Sequence, residues 1–130
     1  MVPFRVTLQL GVPANEQVVF AAKKAMVSGK LRPGDPFPSV RALSKAVKIH
    51  PNTAQKVVSQ LIAEGLLEVR PGVGTVVRQP PAPSRADRSR LLGPDVEQLT
   101  VEAMKLGLSL EDLQSAVADS WRSLNDKENK

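Results

Sequence analysis

The sequence PSVRALSKAVKIHPNTAQKVVSQL, residues 38–61, decides the fold of this chain. It predicts two helices separated by only two residues. Ser39 stands where its hydroxyl can cap the first helix. Pro51 opens the second, because the first helical N–H has no intrahelical partner and the fixed φ of proline already suits a helix. The stretch therefore predicts a pair of helices joined by a tight turn.

The second predicted helix has an apolar face and a polar face. Apolar residues at helical spacing predict its buried stripe: Ala54, Val57, Val58, Leu61 and Ile62. Polar side chains cluster in its first two turns: Asn52, Thr53, Gln55 and Lys56. On the first helix, Arg41, Lys45 and Lys48 recur at i, i+4 and i+7. Taken alone, such a basic stripe is typical of an ordinary solvated surface.

The flanking segments predict a small mixed domain around the helix pair. Residues 2–10 alternate apolar and polar side chains, which predicts a half-buried strand. Residues 15–28 predict an earlier helix, with Asn15 as its N-cap. Two short β segments follow the helix pair, joined by the glycine-containing sequence PGVG of a tight hairpin: Leu66–Arg70 and Thr75–Arg78.

The last third of the chain predicts a linker and two more helices. Residues 79–93 are rich in proline and polar side chains, which favours an extended linker. Residues 94–130 predict two helices with a break at Gly107, and Ser109 with Asp112 resembles a capping box. Their apolar face is too large for two helices to bury by themselves, so it packs on the front domain or pairs with a second copy. We assign dimerisation to Leu99, Ala103, Leu106, Leu110, Leu113, Val117 and Trp121.

Composition excludes several classes of function. The 130 residues contain no cysteine and one histidine, so we expect no cofactor, no metal site and no catalytic residues. The chain has no apolar run long enough for a membrane span or secretion signal, so we expect a cytoplasmic protein without a membrane partner. Residues 1–80 carry 11 Lys/Arg against 4 Asp/Glu, whereas residues 81–130 carry 7 against 9. A basic front half is typical of a domain that binds a polyanion.

Together these elements predict a mainly helical α+β protein: a winged helix-turn-helix over residues 1–78, a linker over 79–93 and a helical dimerisation region over 94–130. In a winged helix the third helix enters the major groove of double-stranded DNA by its N-terminal end. Asparagine and glutamine can read adenine there, lysine can read guanine, and threonine can contact phosphate or a thymine methyl. We therefore expect a DNA-binding regulator.

Residues 31–77 resemble the DNA-binding domain of the GntR family of bacterial transcription regulators. The strings PGD, PSVR.L, PNT, L..EGLLE and G.GT.V stand in the family's order and spacing. The wording PSVR and PNT and the short C-terminal part most resemble the YtrA-type subfamily. The resemblance implies that Arg41, Asn52, Thr53 and Gln55 reach DNA and that Gly72 lies near the minor groove. His50 departs from the Ser or Asn that the family commonly has as the helix cap.

The resemblance also implies a homodimeric repressor that binds a palindromic operator and controls its own and neighbouring genes, among them transporter genes. Whether a small-molecule effector binds, for example near Met104 and Trp121, stays open. The alternative is a winged-helix module for protein contacts without sequence-specific DNA binding. The candidate DNA-binding residues are Ser39, Arg41, Lys45, Lys48, His50, Asn52, Thr53, Gln55, Lys56, Arg70, Gly72 and Gly74.

Overall fold

The structure is a computed structural model that describes residues 2–125. The last five residues of the predicted dimerisation region therefore lie outside the described part. The elements in chain order are α1 (Ala14–Val27), α2 (Val40–Val47), α3 (Pro51–Ala63), β1 (Leu67–Arg70), β2 (Gly74–Val77), α4 (Arg85–Arg90), a π-helical turn (Leu91–Asp95), α5 (Val96–Lys105) and α6 (Leu110–Asn125). The chain divides after Pro80 into two compact units. The mainly helical α+β fold class is confirmed.

The first unit closes a core around α3, which packs against α1, α2 and β1. The residues that fill this core are almost entirely shielded from solvent: Val18, Ala22, Leu43, Ala54, Val57, Leu61 and Leu67. Helices α1 and α3 both end in a Schellman motif. Gly29 and Gly65 have positive φ, and the N–H of the residue after each glycine donates to the carbonyl five residues earlier. The apolar stripe predicted for α3 is thus buried, except that Ile62 is exposed.

The wing is a two-stranded antiparallel hairpin in which Leu67 pairs with Val77 and Arg70 with Gly74. The loop between the strands contains Gly72, and both Gly72 and Gly74 have positive φ, as the glycine-tipped turn predicted. The segment before α2 adds a partial third strand. The Phe37 N–H donates to the Thr75 carbonyl at 2.9 Å, and the Val77 N–H donates to the backbone carbonyl of Asp35 at 2.8 Å. The hairpin is therefore anchored to the helix pair along β2.

The strand predicted for residues 2–10 is wrong, because in the described part of the chain the segment has no neighbouring strand to pair with. The side chain of Gln17 takes the place of a strand partner: its amide accepts from the Gln9 N–H at 2.8 Å and donates to the Gln9 carbonyl at 2.9 Å. The alternation still directs Phe4 into the core, where its ring lies 6.0 Å from that of Phe37. Asn15 is not the cap of α1, which begins one residue earlier after Pro13.

The extended linker predicted for residues 79–93 is also wrong from Arg85 onward. Ser84 accepts a hydrogen bond from the Asp87 N–H at 3.0 Å and starts a helix that runs through the π-helical turn into α5. Three prolines precede this cap, where they do not oppose a helix, and Pro94 lies in the wider π-helical turn.

The break at Gly107 and the reciprocal Ser109–Asp112 capping box are confirmed. The assignment of DNA binding and dimerisation to the two units stays a prediction.

Candidate nucleic-acid interface

The turn between α2 and α3 holds the candidate site together. Ser39 caps α2 by accepting from the Ala42 N–H at 3.1 Å, as predicted. After α2 the chain reverses at Lys48, whose φ of 57° places it in the left-handed region. The Ile49 N–H then donates to the Ser44 carbonyl at 3.1 Å, and the Ser44 hydroxyl donates back to the Ile49 carbonyl at 2.6 Å. This closed turn fixes the position of α3 relative to α2.

His50 caps α3 with its ring. Its Nδ1 accepts a hydrogen bond from the Asn52 N–H at 3.0 Å, and Pro51 occupies the first helical position. Because Nδ1 accepts this hydrogen bond, Nε2 is the ring nitrogen that can donate on the other side. The cap therefore selects one tautomer of a side chain that is itself exposed.

The N-terminal turns of α3 expose polar side chains on one face and bury apolar side chains on the other. Asn52, Gln55 and Lys56 are exposed and Thr53 is half-buried, whereas Ala54 and Val57 are wholly buried. The Gln55 amide nitrogen donates to the Ser59 hydroxyl at 3.1 Å, which leaves its carbonyl oxygen available to a partner outside the protein. The core contacts of α3 thus fix the backbone that carries these exposed side chains.

Charge within the helix pair α2 and α3 is of one sign. The segment 36–63 contains no aspartate or glutamate. It carries four exposed cations, and within residues 2–125 none of them forms an ion pair: Arg41, Lys45, Lys48 and Lys56. Positive potential that no neighbouring carboxylate cancels attracts a polyanion.

The wing differs from the helix pair in its charge. Arg70 Nε lies 2.9 Å from a Glu68 oxygen, and Arg78 Nε lies 4.0 Å from the other. Both arginines therefore share one carboxylate, which offsets part of their attraction for phosphate. Gly72 and Gly74 are exposed at the wing tip, next to Val73, which sequence reasoning did not single out. The wing presents an apolar tip between partly neutralised arginines.

The predicted dimerisation residues separate into exposed and covered ones. Ala103 is buried and Leu113 is half-buried within the chain. The other five are exposed, with Leu106 at 74% and Trp121 at 71% of their full accessibility: Leu99, Leu106, Leu110, Val117 and Trp121. Sequence reasoning missed further exposed apolar residues of this unit, among them Leu91 and Leu92. We call the five exposed members of the predicted set the apolar face.

Comparison with known proteins decides the family. The model of the bacterial regulatory proteins of the gntR family matches residues 14–77, the stretch that contains α1, the helix pair and the wing. Residues 14–77 form a DNA-binding domain of the GntR family. The resemblance inferred from the five short motifs is thereby confirmed, and the chain is a DNA-binding transcription regulator.

Relatives extend the similarity past the GntR winged helix. The HTH-type transcriptional repressor YtrA of Bacillus subtilis is 29% identical over 108 residues, which are 82% of this chain and 83% of the relative. A transcriptional regulator from Oenococcus oeni has a solved structure with a TM-score of 0.60 and 28% identity, covering 88% of this chain and 96% of that one. The YtrA-type resemblance is confirmed, and the relatives are named as transcription regulators, not as enzymes.

The fold itself has a closer counterpart. A protein described as a transcriptional antiterminator from Listeria monocytogenes has a TM-score of 0.81 at 19% identity, covering 94% of this chain and 92% of that chain. At this identity the likeness concerns the fold alone. Among residues 2–125 we find no helix with the length and hydropathy that crossing a bilayer requires.

Proposed function

We propose that this protein is a homodimeric repressor that reads a palindromic operator with the N-terminal turns of α3. The observation that carries the proposal is the polarity of α3: exposed Asn52, Gln55 and Lys56 at one end, above core residues that are wholly buried. Amide side chains can make paired hydrogen bonds to adenine in the major groove, and lysine can donate to guanine. A rigid helix that presents these groups to solvent suits base readout.

The cations around α3 suit the DNA backbone. Arg41, Lys45 and Lys48 have no carboxylate partner within residues 2–125, so phosphates would not compete with internal ion pairs. Ser39 and His50 contribute as helix caps, and the Nε2–H of His50 can donate to a phosphate oxygen. Phosphate contacts fix orientation and register, while base contacts supply sequence preference.

The conformation of Lys48 supports a contact by its side chain. In the described part of the chain it is the one residue other than glycine with positive φ. The left-handed region costs an ordinary residue about 1–2 kcal/mol, and glycine would avoid this cost. A lysine at a position where the backbone favours glycine is accounted for if its ammonium group binds phosphate.

The apolar face of α5 and α6 supports a homodimer. Leu106, Leu110 and Trp121 are exposed in the single chain, and exposed apolar surface of this extent is typical of an interaction site. A two-fold pairing would present two copies of α3 to half-sites about one helical turn, or a multiple of it, apart. Two-fold symmetry in the protein thus accounts for a palindrome in the operator.

The direction of control and the targets follow the relative. The Bacillus subtilis YtrA protein is a transcriptional repressor, and we propose the same direction here, acting on the chain's own gene and its neighbours, including transporter genes, in the cytoplasm. A repressor of this kind needs only to occupy promoter DNA. The proposal includes no small-molecule effector.

Titration against DNA tests the proposal. The full chain is titrated against the DNA upstream of its own gene and against a scrambled duplex of equal length, at several salt concentrations. The Asn52→Ala/Gln55→Ala double variant should lose preference for the upstream fragment and keep weak, salt-sensitive binding. Gln60→Ala is the matched control, since Gln60 lies on the same helix but bonds to Glu64 at the far end.

The outcomes separate the two candidate functions. Equal, salt-dominated binding of the wild-type chain to both fragments would contradict base readout of this sequence. Absence of binding to either fragment would contradict the repressor proposal and favour a role in protein contacts. A reporter gene fused to the upstream fragment then tests the direction of control, because a repressor lowers its expression and the double variant restores it.

A further inference from the structure

Arg85 and Arg88 form a pair of free cations outside the winged helix. Arg85 is the first residue of α4 and Arg88 lies three residues later in its last turn, so the two share one side of the helix. Both are exposed, and neither is paired with a carboxylate within residues 2–125. Their neighbour Arg90 differs, since it lies 3.6 Å from Asp87 and 3.9 Å from Asp95. We call Arg85 and Arg88 the α4 arginine pair.

The stability of α4 accounts for Arg88, which lies in the last turn, but not for Arg85. Arg85 is the first residue of the helix, where positive charge opposes the helix dipole. The favourable charge in this turn is Asp87, whose backbone N–H is capped by Ser84. A local rule broken without a compensating internal contact points to a partner outside the chain. A partner that complements two arginines is an anion.

The distribution of charge identifies the kind of anion. Residues 85–90 carry three arginines and one aspartate, whereas residues 91–130 carry four Lys/Arg and eight Asp/Glu. The net charge of the sequence is therefore positive from the winged helix as far as Arg90 and negative after it. A cationic stretch continuous with a DNA-binding domain complements the phosphate backbone of the same duplex.

The covalent connection limits how far the pair can lie from bound DNA. Arg78 is held in the first unit by its N–H, which donates to the Leu66 carbonyl at 2.9 Å. Seven residue steps separate Arg78 from Arg85, and a fully extended chain of that length spans about 25 Å. This corresponds to about seven base pairs of duplex at about 3.4 Å each. Pro80, Pro81 and Pro83 stiffen the connection, which limits the entropy lost on ordering it.

We propose that the α4 arginine pair binds backbone phosphates of the operator, within about seven base pairs of the wing contact. This inference rests on the proposed function, because the DNA that it needs is the duplex bound by α3. It adds two phosphate contacts per protomer that lie outside the winged helix. Phosphate contacts carry no sequence information, so the pair raises affinity without changing operator preference.

Salt dependence of DNA binding tests the inference. The full-length Arg85→Gln/Arg88→Gln variant is compared with wild type on the upstream fragment and on the scrambled duplex. Each lost phosphate contact lowers the slope of log K against log salt by about 0.9, so the slope should fall by about 1.8 per protomer. The ratio of affinities for the two duplexes should stay the same. Hydroxyl-radical footprints should lose protection beside the wing contact.

Two further variants keep the test specific. Lys105→Gln/Arg122→Gln removes the same charge from α5 and α6, where each cation is paired with a carboxylate three residues earlier, and should leave the slope unchanged. Arg85→Lys/Arg88→Lys keeps the charge and should keep most of the slope. An unchanged slope in Arg85→Gln/Arg88→Gln, or an equal loss in the Lys105→Gln/Arg122→Gln control, would overturn the inference. Loss of operator preference in wild type would overturn only the proposed function, since the slope is also measured on scrambled DNA.

Discussion

The two compact units of the chain differ in where their apolar residues lie. The first unit covers its own core, so that Leu43, Leu61 and Leu67 are almost fully buried. The second unit buries Ala103 but leaves Leu110 and Trp121 largely exposed. One unit therefore contains the contacts that define its fold, while the other contains an apolar face that stays exposed among the residues described, which end at Asn125.

This difference teaches what each unit needs in order to be stable. Burial of a leucine side chain contributes about 2–3 kcal/mol to a fold, and the first unit makes these contributions within one chain. Under the proposed homodimer, a second copy would cover the apolar face of the second unit, and we therefore expect the stability of that unit to depend on protein concentration. Of the four predictions below, the first two test this contrast, and the other two test finer features of the first unit.

The largest effect is expected from Leu61→Ala in the first unit. Leu61 is completely buried in α3, and its truncation removes apolar contacts and leaves a cavity, which costs about 2–5 kcal/mol of unfolding free energy. Leu106→Ala is the matched control, because Leu106 is exposed in the single chain. Denaturant unfolding at low protein concentration should separate the two variants. An equal loss of stability in both would contradict the contrast between the units.

Leu110→Asp tests the second unit directly. A charge placed in the middle of an apolar interface should raise the dimer dissociation constant by about 30-fold or more, which corresponds to about 2 kcal/mol. Analytical ultracentrifugation measures this change, and binding to a palindromic duplex should lose cooperativity with it. Ser115→Asp adds the same charge at an exposed polar position of α6 and should leave the dimer intact. If Leu110→Asp sediments like wild type, the apolar face is not the dimer interface.

Local sequence signals predicted the helix pair of the first unit well, because single residues mark where each helix begins or ends. Ser39 caps α2, Pro51 opens α3, and the glycine after α3 ends it. Each signal acts through the backbone within a few residues, so no tertiary information is needed. The candidate site could be located for the same reason, since its side chains follow directly from the face of α3 opposite the core.

The failures concern features that depend on a neighbour. Residues 2–10 have the alternation of a strand, but a strand also needs a partner, and Gln17 occupies that place instead. The prolines before α4 suggested an extended linker, although their position upstream of Ser84 leaves the helix intact. That error hid Arg85 and Arg88. The Ser84 cap, with Asp87 three residues later, was the signal that could have revealed them.

Lys48→Gly separates stability from DNA binding. Glycine relieves about 1–2 kcal/mol of left-handed strain and loses about 0.5–1 kcal/mol through the entropy of the unfolded chain, so unfolding free energy should stay equal or rise slightly. The slope of operator binding against salt should fall by about 0.9 per protomer. Lys48→Ala keeps the left-handed strain and removes the charge. It should therefore bind DNA like Lys48→Gly but have a lower free energy of unfolding than Lys48→Gly. Wild-type DNA binding by both variants would contradict a phosphate contact at this lysine.

The smallest effect is expected from the ion pair that joins α1 to the end of α3. Lys23 Nζ lies 2.7 Å from a Glu64 oxygen, and this hydrogen bond holds the pKa of Glu64 below its ordinary value. A lowered folded-state pKa means that the pair stabilises the protein above the unfolded pKa and that this stability is lost as pH falls through the folded one. Because both side chains are more than a third exposed, Glu64→Gln should cost under about 1 kcal/mol at neutral pH.

Denaturant unfolding between neutral and acid pH measures this loss. The deficit of Glu64→Gln should shrink as pH falls through the folded pKa, because the wild-type carboxylate is then protonated and loses its charge as well. Glu102→Gln is the control in the second unit, where the partner Lys105 lies on the same helix and the pair joins no separate elements. It should have a smaller effect at every pH. A deficit for Glu64→Gln that persists undiminished in acid would mean that its cause is packing and not the ion pair with Lys23.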